Sequence, residues 1–152
     1  MTYVDVRTAV AATTPEHAWA VVSRLGGDER VYVPRVLWRA RGRLERLAGG
    51  PGHRIAGPSH PGPLRPGDTV DFWVVVDVDA PTRLRLRTLS LMPGTAHLEI
   101  SVRAEGAGTR LTLRTEFDPD GLVGHAFWWA ELPAHVAVFE LMARRLAALV
   151  AG

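Results

Sequence analysis

The stretch WWAELPAHVAVFELMARRL, Trp128 to Leu146, places an imidazole among apolar side chains. Read as a helix, it carries Leu132, Val136, Phe139, Met142, Ala143 and Leu146 on one face, with His135 in the middle of them. A histidine titrates near neutrality, so on a face aimed at the interior it can act as general acid or base, or bond a ligand. The alternative is a core histidine with a ring nitrogen on a backbone carbonyl. Pro133, two residues earlier, puts His135 in the first turn of that helix. Trp128 falls on the His135 side and Trp129 is turned about 100° away. Trp128 is either core or a stacking platform for a planar ligand.

A second candidate is Asp71, in TVDFWVVVDVD. Turned inward, its carboxyl would have a raised pKa and could move protons. Turned outward, it would pair with an Arg of the next strand. Trp73 shares its face. Residues 72–76 are apolar on both faces, so alternation does not say which face lines the interior. His97 and Glu99 share a strand face, and Arg83, Arg85 and Arg87 alternate on another strand. Cross-strand Glu–Arg pairs on a solvated face account for both sets.

Other chemistries are excluded or disfavoured. The 152 residues include no Cys, so thiolate nucleophiles, thiolate metal sites and disulfides are absent. There is also no Lys, Asn or Gln, and all 18 basic residues are Arg. That removes a Schiff-base lysine and a phosphate-binding loop ending in Gly-Lys. His53 and His60 flank Arg54 in a Gly/Pro-rich loop, but their spacing fits no standard metal site, and no metal is expected. Ser59-His60 is no triad, and no G-x-S-x-G, G-x-G-x-x-G or H-E-x-x-H occurs. The pI of about 9.9 accompanies a net charge of only +2. With no Lys or Cys, little titrates between neutrality and the Arg range, so no nucleic-acid partner is implied.

The elements that must hold these residues read as follows. Tyr3–Val10 alternates as a strand. Thr13-Thr14-Pro15-Glu16 starts a short helix, with Ala18, Val21, Val22 and Leu25 as its apolar side and Gly26-Gly27 as its stop. A second helix spans about Pro34 to Leu47, with arginines over most of its surface. Gly49–Gly67 is a long Gly/Pro-rich loop of the kind that forms lids or binding loops. Four strands follow: Asp68–Asp79, Thr82–Met92, Thr95–Ala104 and Thr109–Phe117. Asp118-Pro119-Asp120-Gly121 turns the chain into the closing helix. The pattern is α+β, with an antiparallel meander and segregated helices, in a single domain over residues 1–152. No signal peptide or membrane-spanning run is read, so a cytoplasmic location is expected.

The stretches LWRARGRLERLAGGPGHR, LRPGDTVDFWVV, RLRLR, MPGTAHLEI, TRLTLRTEFDPDGLVG and FWWAELPAHVAVF are similar to an uncharacterised branch of the START-like superfamily, over roughly residues 30 to 147. That superfamily includes the Bet v 1 allergens and polyketide cyclases. The resemblance implies a helix-grip fold: a curved antiparallel sheet wrapped around a long C-terminal helix, with two short helices after the first strand. It also implies a cavity between sheet and helix for a small, mostly apolar molecule, and the branch often follows an NmrA-like dinucleotide-binding domain. His135, Asp71 and Glu99 fall at positions of the family motifs.

On this reading the protein binds a small hydrophobic or polyketide-like molecule and acts as a cofactor-independent cyclase, isomerase or dehydratase. His135 and Asp71 would move protons. Trp73, Arg54, Glu99, Trp128, Leu132, Phe139 and Met142 would contact the ligand. The alternatives are a non-catalytic carrier or sensor, or an accessory domain to a dinucleotide-binding reductase. The arginines from Arg35 to Arg46 offer a docking face for an acyl carrier protein.

Overall fold

The computed structural model of the chain describes residues 1–25, 47, 61–70 and 73–152. Strand β1 is Tyr3–Ala11. Helix α1 is Pro15–Val22, one residue inside a Thr14 cap whose side chain accepts the His17 N–H at 3.2 Å. Pro15 needs no N–H at that position, which is why the start is sharp. Ala18, Val22 and Leu25 are buried, and the Leu64 N–H bonds the Ser23 carbonyl at 2.7 Å.

The remaining strands are β2 (Thr69–Val70), β3 (Trp73–Asp79), β4 (Arg83–Thr88), β5 (Gly94–Glu105) and β6 (Gly108–Pro119). They form one antiparallel sheet in the order β1-β6-β5-β4-β3-β2. The meander is as expected, but two strands differ. Thr69 and Val70 pair antiparallel with Val74 and Trp73, so Asp68–Asp79 is not one strand. The strand that begins near Thr82 stops at Thr88, short of Met92.

Alternation then sorts the sheet into two faces. Leu84 and Leu86, Leu98, Ile100 and Val102, and Leu111 and Leu113 lie opposite one another and are all buried. Trp73 and Val75 continue this inner face on β3. A bulge between Val75 and Asp77 adds a residue, after which Val78 pairs with Leu84 and Asp77 with Arg85 on the outer face. No single alternation therefore describes the whole of β3, because one extra residue swaps the faces.

The outer face is a charge ladder. The Arg85 guanidinium reaches Glu99 at 3.4 Å and Glu116 at 3.3 Å, and Arg83 reaches Asp77 at 2.7 Å. Arg114 also pairs with Glu116. These are the cross-strand pairs anticipated from the alternation of Arg83, Arg85 and Arg87.

Helix α2, Gly121–Ala151, closes the fold. Its start is fixed by two close approaches. The Asp120 N–H bonds the Pro93 carbonyl at 3.0 Å. A Cβ on Gly124 would stand 2.5 Å from that same carbonyl oxygen, so only glycine lets the helix sit there. Met142, Ala143, Leu146 and Val150 are fully buried and join the core with the inner-face leucines. The helix continues through Pro133, which is exposed, so His135 lies mid-helix rather than in a first turn. The missing Pro N–H is tolerated because it costs one hydrogen bond on the solvent side of a helix already held by packing. Among the described residues, no helix is long and apolar enough to cross a membrane.

Candidate functional site

The polar groups of the inner face gather where β1 meets α2. On β1 the residues facing α2 are Tyr3, Asp5 and Arg7, while Val4, Val6 and Val10 point out. Each inward residue meets a polar side chain of α2. Tyr3 Oη and His125 Nδ1 are 2.8 Å apart, His135 Nε2 lies 3.3 Å from Asp5 Oδ2, and Arg7 Nη1 donates to Glu140 Oε2 at 3.5 Å. Arg7 also binds Asp5 through two bonds of 3.0 Å, a bidentate grip that fixes the carboxylate plane.

His135 is the centre of this seam. Its side chain is 12% exposed, and its ring lies between Phe139 at 4.4 Å and Trp128 at 5.1 Å. Nε2 is also 3.2 Å from Thr115 Oγ1, whose own hydroxyl donates to the Asp5 carbonyl at 3.4 Å. Those partners settle the tautomer. The Asp5 carboxylate gripped by Arg7 accepts, and the Thr115 hydroxyl can accept as well as donate, so Nε2 carries the hydrogen. Nδ1 then holds the lone pair. Burial lowers the His135 pKa, and the Asp5 carboxylate only partly opposes it. The ring is therefore neutral at pH 7 and able to accept a proton.

Trp128 is buried and stacks on Tyr3 at 5.0 Å and on Phe117 at 5.8 Å. Trp129 is 62% exposed, with its ring edge-on to Tyr3 at 6.0 Å. Leu132 is half-buried, Phe139 packs against both His135 and the core, and Met142 is buried one turn further on. The structure thus brings Trp128, Leu132, His135, Phe139 and Met142 onto the sheet side of α2. Val136, expected with them, is 38% exposed. Trp73 is buried on the inner face of β3. Glu99 lies on the opposite face of the sheet, in the ion pairs with Arg85 and Arg83, and does not meet His135. Asp71, Arg54, His53 and His60 lie outside the described residues, as does the expected helix of residues 34–46. Among the described residues, no group of three His, Asp or Glu side chains is placed to hold a metal.

Asp5, Arg7, Thr115, Glu140, Tyr3 and His125 were not singled out from sequence. One signal was there: Tyr3, Asp5 and Arg7 alternate with Val4, Val6 and Thr8. A strand with three polar residues on one face is ordinarily read with its valines inward, and here the reverse holds.

The fold is shared widely among solved structures. Norcoclaurine synthase from Thalictrum flavum superposes with a TM-score of 0.58 at 17% identity, covering 99% of this chain and 87% of that one. A protein from Nitrosospira multiformis gives 0.61 at 9% identity, covering 96% and 94%. Ara h 8.0201 gives 0.53 at 8% identity, covering 97% and 99%. The chain therefore has the Bet v 1-like helix-grip fold. No curated protein matches it in sequence. The model of the family described as "Protein of unknown function (DUF2867)" matches residues 1–142, and to that family the chain belongs.

Proposed function

We propose that the protein binds a small, mostly apolar molecule between the sheet and α2, and that His135 moves a proton on it. The observation that carries this is the holding of one ring nitrogen, Nε2, by Asp5 and Thr115. A neutral imidazole oriented by a carboxylate has a defined lone pair on its other nitrogen, which is what a general base requires. Phe139 and Trp128 supply apolar walls on either side. The fold supports the reading by analogy: a norcoclaurine synthase structure with it contains dopamine and hydroxybenzaldehyde.

The reaction class is cyclisation, isomerisation or dehydration without a cofactor. Each needs one proton removed and one returned, and a cavity that holds a flexible substrate in reactive shape. Asp71 is the second proton carrier of the proposal and Arg54 the group that orients a carbonyl. Trp73, Leu132 and Met142 contribute to the apolar lining. An acyl carrier protein, bound at the arginines of residues 35–46, would deliver a polyketide-like substrate.

The test is a tryptophan-fluorescence titration with aromatic aldehydes, phenols and short polyketide mimics, in wild type and His135→Ala. It is paired with deuterium exchange at the carbon next to the probe's carbonyl, followed by NMR. Saturable quenching with exchange that the variant loses supports the enzyme. Saturable quenching without exchange in either protein replaces it with a carrier. No saturable response, with no molecule retained in native mass spectrometry, removes the site.

A further inference from the structure

We propose that two copies of this chain join along β1, antiparallel about a two-fold axis at Val6, into one continuous sheet. Strand β1 stands at the end of the strand order, with β6 on one side and no described strand on the other. It is nine residues long, keeps an unbroken register with β6 and contains no Pro, and its two charged residues, Asp5 and Arg7, neutralise each other. Edge strands are ordinarily blunted by Pro, by charged side chains, by bulges or by shortness. The other end of the sheet follows that rule, since β2 has two residues.

The outward side chains of β1 point to a protein partner. Val4, Val6 and Val10 are 47%, 52% and 57% exposed, in a row with Thr8. Beside them, the outer face of β6 bears Arg110, Arg114 and Glu116. An apolar strip confined to an edge strand is the reverse of the usual arrangement.

Self-pairing in one register satisfies both faces. With Val6 opposite Val6 of the second copy, Val4 faces Thr8 and Thr8 faces Val4 on the outer side. On the inner side Asp5 faces Arg7 and Arg7 faces Asp5, so each carboxylate gains a second cation. Sliding by two residues either way sets Asp5 against Asp5 or Arg7 against Arg7, which like charges oppose. The strand thus carries its own register code, and a two-fold axis reads it symmetrically.

The chain has no cysteine, so a single introduced thiol reports contact directly. Val6→Cys is expected to give a covalent dimer under mild oxidation. Thr8→Cys alone is expected to give no covalent dimer, but to cross-link when mixed with Val4→Cys. Light scattering of wild type should show a dimer and Val6→Arg a monomer with unchanged circular dichroism and a Tm that no longer depends on protein concentration. A wild type that stays monomeric at every concentration overturns the proposal. So does a dimer that survives Val6→Arg, or cross-linking of Thr8→Cys alone that exceeds that of Val6→Cys.

Discussion

The two halves of α2 do different work. From Met142 to Val150 the buried residues are Met142, Ala143, Leu146 and Val150, all apolar and all against the leucines of the inner face. From Gly121 to Glu140 the same helix meets Tyr3, Asp5 and Arg7 with His125, His135 and Glu140, and leaves Leu122, Val123 and Trp129 in solvent. One half anchors the helix by exclusion of water. The other half adds directed polar contacts to the packing of Trp128 and Phe139, and such contacts specify geometry more than they add stability. A site that must place a nitrogen lone pair belongs in the second kind of environment.

Substitutions that treat the halves alike would break this contrast. The largest effect is expected in the anchoring half: Leu146→Ala should cost about 2–5 kcal/mol in urea denaturation, as buried leucines do. Equal loss from Leu122→Ala, at the exposed start of the helix, would erase the distinction. Next comes Asp5→Ala, which strips Arg7 and His135 of their shared partner and should cost about 1–3 kcal/mol. It should also lower the His135 pKa further, because the Asp5 charge is what raises it against burial. An NMR titration of the ring protons checks that.

A smaller effect sharpens the comparison through pH. Burial holds His135, and also His97 on the outer face, below the ordinary value of 6.5. The unfolded chain then binds more protons than the folded one in the window just below 6.5. Stability from these groups is full above that value and falls as the pH drops towards their folded pKa values. Denaturation midpoints between pH 7.5 and pH 5 should show the decline, and His135→Gln should flatten it. The smallest effect is expected for Trp129→Ser, within about 0.5 kcal/mol of wild type, since the ring is mostly solvated. A large destabilisation there would mean that the exposed side of the helix is covered.

Much of this was legible in the residues. Thr14-Pro15 marked the start of α1, the Arg and Leu alternation of β4 gave its two faces, and Leu132, His135, Phe139 and Met142 declared the sheet side of α2. What escaped was non-local. Nothing in Tyr3–Ala11 states that it pairs with Gly108–Pro119, and only that pairing sets Asp5 opposite Thr115 beneath His135. Pro133 misled for a local reason: its preference for a first turn is real, but tertiary packing carries the helix through it. The bulge at Val75–Asp77 likewise has no signature beyond an apolar run that fits both faces.

The pairing of β1 with β6 also has a consequence in time. Tyr3 must find Phe117, and Ala11 must find Thr109, before the sheet has its full width. Contacts separated by a hundred residues are slow to form, because a long loop must close first. On the ribosome β6 is made about a hundred residues after β1, so β1 waits that long without its neighbour. The Asp5–His135 contact waits longer still. Whatever chemistry it performs cannot begin before α2 has been made.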